Sequence, residues 1–254
     1  MKKLFRALPK CLLASAVLPL ALAFVPGALE AQEYTDKGAD DCLKCHRAEK
    51  WGVMPIFKTK HGSQVDSEAP FSNQQCESCH GPSREHAKAR KKSEVKVGVT
   101  FGKGDNATVD QQNEACLTCH KSKEGEGWHG SAHESVDVAC VSCHQIHVER
   151  DPVFDPLAQQ ETCFTCHQRQ RSDTFKAYGH PLRFGGMTCS GCHNPHDGNS
   201  DFLLAADTVN DTCYTCHAEK RGPFLWEHAP ATDDCTLCHE PHGSNHPALL
   251  TRRP

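Results

Sequence analysis

Sixteen of the 17 cysteines fall into one arrangement, Cys-x-x-Cys with His directly after it, repeated eight times. The copies are Cys42, Cys45 and His46; Cys76, Cys79 and His80; Cys116, Cys119 and His120; Cys140, Cys143 and His144. The other four are Cys163, Cys166 and His167; Cys189, Cys192 and His193; Cys213, Cys216 and His217; Cys235, Cys238 and His239. Two thiols three positions apart, followed by an imidazole, form the attachment signature of c-type haem. The thiols make thioethers to the two vinyl groups of one porphyrin, and the adjacent His is held under the iron as its proximal ligand. Zinc half-sites use the same donor types. An unvarying two-residue spacer, repeated eight times alongside a separate set of histidines, speaks for haem. The expectation is eight covalently attached haems c.

Each iron in such a site takes an axial ligand on both faces, and the pair sets its potential and reactivity. Eight of the 18 histidines are proximal, leaving His61, His86, His129, His133, His147, His180, His196, His228, His242 and His246. The repeat selects eight of these ten as distal ligands: His61, His86, His133, His147, His180, His196, His228 and His242. His129 and His246 fall outside it. Methionine, the other common distal donor, is scarce beyond the leader, with only Met54 and Met187. An all-imidazole set implies low-potential, low-spin irons with no vacant position, which pass single electrons and bind no substrate. His147, His196 and His242 each stand three residues after a proximal His. In a helical segment they would lie on the proximal side of their own haem, so each is expected to reach a neighbouring one. The lone His in mid-unit has a longer tether and serves either its own haem or another.

The motifs pair into two-haem units spanning about 42–86, 116–147, 163–196 and 213–242. The starts at Cys116, Cys163 and Cys213 are 47 and 50 residues apart, a repeat architecture. The first unit is looser, with 34 residues between motif starts against 22 to 26 in the others. An insertion, 87–115, follows it, carrying Lys88, Arg90, Lys91 and Lys92 and glycines 98, 102 and 104. It reads as a solvated loop, or else as a docking feature for a partner or for propionates.

These units must be positioned by a chain with little to bury. Hydrophobic residues make up 37% with the cysteines counted, and mean hydropathy is -0.59. Beyond residue 31, 223 residues serve eight haems, about 28 each. Such a polar chain cannot offset its ordering entropy with an ordinary core; porphyrin faces must supply the apolar surface. The expected fold is a multihaem cytochrome c of low secondary structure. Short helices, for example near 113–120 and 160–167, and irregular loops would wrap an extended haem chain. Trp51, Trp128, Trp226, Phe57 and Phe175 are expected to pack on porphyrins.

Residues 1–31 read as a secretory signal peptide. Lys2, Lys3, Arg6 and Lys10 form a basic start, Cys11–Val25 is apolar, and Leu29-Glu30-Ala31 is a plausible cleavage site. Pro19 and Pro26 interrupt the apolar run, which is short for a membrane anchor. Removing four basic residues and one acidic residue leaves 24 basic against 31 acidic in a chain 32–254, which speaks against nucleic-acid binding. Export to the periplasm also suits haem attachment, which takes place outside the cytoplasm.

The sequence resembles the MtrA/DmsE family of periplasmic decahaem cytochromes. The resemblance is most specific at CHGPSREH (79–86), WHGSAH (128–133), CHNPH (192–196) and GPFLWEHAPATDDCTLCHEPHGSNHPALL (222–250). It implies bis-His haems in an extended chain, housed in an outer-membrane β-barrel porin. Electrons would arrive from inner-membrane or periplasmic cytochromes and leave to an outer-surface multihaem cytochrome. The departure is in number: ten haems in the family against eight motifs here, with Leu249–Pro254 standing where a fifth unit would begin. Two alternatives are a soluble periplasmic shuttle to a terminal reductase, and a multihaem reductase of a nitrogen or sulfur oxyanion. The second would need an open iron, often marked by a motif ending in Lys, and all eight motifs end in His.

Overall fold

Each attachment motif is a single helical turn, and these turns account for much of the regular structure. The computed structural model describes residues 33–253 except 92–93, 103–106, 122–126 and 198–199; the leader expected at 1–31, Lys92 and Gly104 lie outside the described residues. The first motif of each unit is carried by a short α-helix. These are α1 (Ala39–His46), α4 (Val109–Leu117), α5 (Gln159–Phe164) and α7 (Val209–Tyr214). Between them stand α2 (Glu77–His80), which carries the second motif of the first unit, α3 (Arg84–Lys88) and α6 (Gln168–Asp173); α8 (Ala229–Asp233) follows α7. The other second motifs ride on three-residue 3-10 turns, Cys140–Ser142, Cys189–Gly191 and Cys235–Leu237.

Capping starts two of these helices. The Thr108 hydroxyl accepts the Gln111 N–H while the Gln111 side chain accepts the Thr108 N–H, a closed capping box. Thr208 accepts the Asp211 N–H at 3.0 Å at the head of α7. α4, α5 and α7 end one residue past the first Cys of their motif, whereas α1 runs through both cysteines to His46.

Among the described residues there is no sheet, only isolated bridges at Tyr178–Ser244, His193–Leu204 and His239–Leu250. The buried apolar side chains are Ala39, Ala69, Phe71, Trp128, Ala139 and Phe164. That is far too few for a conventional core, as the composition led one to expect. Trp51 packs on the His46 ring at 4.9 Å, and Trp128 lies 6.2 Å from the His196 ring. Phe57 meets Phe71 edge-on, Phe175 lies under the Arg183 guanidinium, and Trp226 is 88% exposed.

No helix among the described residues is long and apolar enough to cross a membrane.

Candidate haem sites

The backbone fixes the reach of each motif first. In the seven motifs after α1, the His N–H donates to the carbonyl of the first Cys four residues back, at 2.9–3.0 Å. This single turn brings both sulfurs and the imidazole to one side. None of the 16 described cysteines is in a disulfide.

All 18 histidines lie among the described residues. Seven of the eight proximal rings face a second imidazole. The pairs are His46–His86 at 6.3 Å between ring centroids, His61–His120 at 6.0 Å, His80–His147 at 6.1 Å and His133–His167 at 6.1 Å. His144–His196 follow at 5.9 Å, His180–His217 at 6.4 Å and His193–His242 at 6.0 Å. Metal–imidazole bonds of about 2.0–2.1 Å put two rings on opposite sides of one ion about 6 Å apart between centroids. Donor type, spacing and the flanking cysteines therefore all fit haem c.

The pairs follow a strict direction. A mid-unit His reaches forward to the first motif of the next unit: His61 to His120, His133 to His167, His180 to His217. A trailing His reaches back to the second motif of the preceding unit: His147 to His80, His196 to His144, His242 to His193. His86 closes on His46 within the first unit. The segments bearing His147, His196 and His242 are bends and turns rather than helix, so chain direction, not a helical face, aims them. His228 and His239 face no other imidazole. His129 stands apart, its Nδ1 2.7 Å from Glu134. The Gly130 N–H, then His129, hold that carboxylate below its usual range.

The rings are held from behind, which orients Nε2 toward the partner ring. His80 Nδ1 bonds the Val99 carbonyl at 3.0 Å, His193 the Phe202 carbonyl at 2.9 Å and His239 the Ala248 carbonyl at 2.7 Å. His86, His133 and His180 bond the carbonyls of Val95, Pro195 and Pro241 at 2.6, 3.0 and 3.0 Å. His144 differs: its Nδ1 meets the Asp151 carboxylate at 2.7 Å. Burial first, and the facing ring second, lower the pKa of His61, His147, His196 and His242, as they do for His46. The neutral imidazole that results is the form that binds iron.

The insertion after the first unit proves to be part of this support. It supplies the Val95 and Val99 carbonyls, sets Phe101 against His80 at 5.3 Å, and brings Gly98 so close to Gly81 that a Cβ there would lie 3.0 Å from the His80 carbonyl oxygen. Behind His193 and His239 lie matching straps. The Asn194 and Glu240 N–H groups bond the carbonyls of Leu203 and Leu249, and Ala205 and Thr251 return bonds to Cys192 and Cys238. Each strap holds two successive non-glycine residues at positive φ: Phe202 (58°) and Leu203 (53°), then Ala248 (53°) and Leu249 (58°). Such backbone is costly and persists where surrounding bonds over-determine it. Sequence reasoning missed the straps. The signal was the Leu-Leu pair beginning ten residues after His193 and again after His239.

Sulfur positions order the sites in space. Within units, the first cysteines lie close enough to perturb one another. Cys116 lowers Cys140 to about 7, Cys163 does the same to Cys189, and Cys42 and Cys76 shift one another in opposite directions. Burial, then Cys235, raises Cys213 to about 11. Between units, burial and then the neighbouring thiol raise Cys79 beside Cys119, Cys143 beside Cys163 and Cys166, and Cys192 beside Cys216. Thioethers do not titrate; these shifts record proximity. Attachment sites thus succeed one another in chain order without a break. In the second and fourth units a buried Asn three residues before the first Cys ties the two motifs of the unit together. Asn113 accepts the Cys140 N–H at 2.8 Å, and Asn210 the Cys235 N–H at 2.9 Å.

Comparison with known proteins agrees with this chemistry. A family described as "Doubled CXXCH motif" matches residues 180–222 and 228–254, "Cytochrome c-type protein NrfB-like" matches 76–160, and "Cytochrome c554 and c-prime" matches 27–81. The chain is 43% identical over 254 residues to "Multiheme cytochrome MtrA" of Shewanella baltica, covering 92% of this chain and 74% of that protein. It is 28% identical over 147 residues to "Cytochrome c-type protein NrfB" of Haemophilus influenzae, covering 51% of this chain and 65% of that one. It is 34% identical over 110 residues to "Cytochrome c-554" of Nitrosomonas europaea, covering 40% and 42%.

Proposed function

Because this chain belongs to the MtrA-like multihaem c-type cytochromes, electron-transfer proteins with haem attached through Cys-x-x-Cys-His motifs, we propose that it relays electrons along eight haems as the periplasmic part of an outer-membrane porin–cytochrome conduit. Haem supplies the one-electron iron couple. The cysteine pairs would anchor each group, and the seven facing His pairs would bind its iron from both sides, which would leave no place for substrate and little to rearrange as charge passes.

One observation carries the reading: seven imidazole pairs about 6 Å apart, laid along attachment sites that follow one another in chain order. Each pair spanning two units ties them together, so the array is cross-linked by its own ligands. Residues 1–31 serve as the export signal and 32–254 as the haem-bearing domain. The partners are an outer-membrane β-barrel, an outer-surface multihaem cytochrome, and donor cytochromes on the inner side; export delivers external electron acceptors their supply.

The test is reconstitution. The chain, co-produced with an outer-membrane porin and an outer-surface multihaem cytochrome, is placed in vesicles loaded with reduced dye. Transfer to an impermeant external oxidant should need all three components. Equal transfer without the porin, or failure of the chain to bind it, would favour a free periplasmic shuttle. Turnover of nitrite or hydroxylamine by the chain alone would favour the reductase alternative.

A further inference from the structure

Six of the seven facing pairs join two units, so the stacking of units aims them. His46–His86 lies within one unit, at 6.3 Å, and its aim has to be set inside that unit. His86 sits on α3, two residues past Arg84 and six past His80. Its ring is fixed by the Val95 carbonyl, 2.6 Å from Nδ1. What fixes the helix itself is a buried carboxylate.

Glu77 lies inside the second attachment motif, between Cys76 and Cys79, and is 4% exposed. It accepts the Ser83 N–H at 2.8 Å, at the head of α3. The same carboxylate accepts the Thr35 N–H at 3.1 and 3.0 Å and the Thr35 hydroxyl at 2.6 Å. Arg84 grips the same segment. Its backbone N–H donates to the Glu33 carbonyl at 3.0 Å and its Nε to the Tyr34 carbonyl at 2.8 Å. Its guanidinium meets the Glu33 and Asp36 carboxylates at 3.2 and 2.7 Å. Residues 33–36 run on into α1, which carries Cys42, Cys45 and His46, and at its head the Ala39 N–H donates to the Gln75 side chain at 2.6 Å. One segment therefore ties the helix of His46 to the helix of His86. Burying a carboxylate is costly unless it is hydrogen-bonded; the bonds of Glu77 are all spent on joining these two helices.

We propose that Glu77 and Arg84 are positioning residues for His86: through residues 33–36 they hold α3 where the first haem keeps its second imidazole. The inference rests on the reading of His46 and His86 as the axial pair of one iron. When the grip is loosened, α3 moves away with His86 and that iron alone opens. The other six pairs, aimed by contacts between units, stay closed.

The experiment uses the 254-residue chain, matured with its haems, purified and its haem content checked by mass. Carbon monoxide is added to the reduced protein, and the change in the Soret band is compared with that of the wild type. His86→Ala should add about one eighth of the change expected if every haem bound carbon monoxide, since one iron loses an imidazole. Glu77→Ala should add the same. Arg84→Ala should add a smaller part of it, and Arg84→Lys, which keeps the charge facing Asp36, should stay nearer the wild type. The decisive variant is His86→Ala/Glu77→Ala, which should add no more than His86→Ala alone. Twice that response in the double variant would place the action of Glu77 at another haem and overturn the proposal. So would a wild-type response in both Glu77→Ala and Arg84→Ala with every haem attached. Should Glu77→Ala lose a haem, Arg84→Ala, at a side chain 27% exposed, decides by itself. An unchanged response in His86→Ala would instead refute the axial pairing, and the proposal with it.

Discussion

The fourth haem site is distinguished by a charge. Behind the proximal rings of the other second motifs, His80, His193 and His239, stands a neutral carbonyl; behind His144 stands the Asp151 carboxylate at 2.7 Å. Its side chain is 11% exposed, so solvent screens it little. Adding the width of the ring and a metal–nitrogen bond of about 2 Å places the charge about 7 Å from the iron. A unit charge at that distance contributes about 2.4 kcal/mol at an effective dielectric of about 20. For a one-electron couple this corresponds to about 100 mV. The negative charge favours the oxidised iron, so Asp151→Asn should raise the potential of one haem by up to about 100 mV. Asparagine keeps an acceptor oxygen for the Val153 N–H that Asp151 caps, so the local turn survives. The assay is a potentiometric titration followed at the α-band, resolved into components by protein-film voltammetry. About one eighth of the amplitude should move and the remainder should stay. Asp155→Asn, at a carboxylate that caps Leu157 and does not face the ring, is the control. An unmoved curve, or a shift shared by all components, would refute the claim that this carboxylate tunes this iron.

Other expectations follow from the same contacts. Asn113→Ala removes the acceptor of the Cys140 N–H and the donor to the Val138 carbonyl, both partly buried. At about 1–3 kcal/mol for each of the two unsatisfied groups, it should cost about 2–6 kcal/mol, read by thermal unfolding under far-UV circular dichroism, with Asn113→Asp losing about half as much. Gly243→Ala would set a Cβ 2.1 Å from the Asp173 carbonyl oxygen at φ 144°. It should destabilise by about 3 kcal/mol and break the Tyr178–Ser244 bridge, visible as faster amide exchange at those two residues. His180→Ala leaves the His217 ring without its partner at 6.4 Å, and should add one further haem to whatever fraction binds carbon monoxide. Ala248→Gly relaxes a φ of 53° that costs a non-glycine residue about 1–2 kcal/mol. After the entropy lost on ordering glycine it should stabilise by a few tenths of a kcal/mol to about 1 kcal/mol, measured as a rise in Tm.

The sequence by itself determined the chemistry of attachment. Cys-x-x-Cys-His spans five residues, and one helical turn suffices to gather its donors, so nothing distant is needed to read it. The sparse helices near 113–120 and 160–167 and the poverty of the core were legible for the same reason. Each follows from local spacing or from composition. Only the tertiary structure decided which imidazole meets which. Spacing states that His133 and His147 are available; it does not state that one reaches forward to His167 and the other back to His80, because that direction depends on how successive units stack. The supports stayed hidden too. The carbonyls of Val99, Phe202 and Ala248 belong to the backbone, which carries no residue code, and they become buttresses only where the chain returns behind a ring. Asp151 could be read as a turn residue before Pro152; its charge matters because folding lays it against His144.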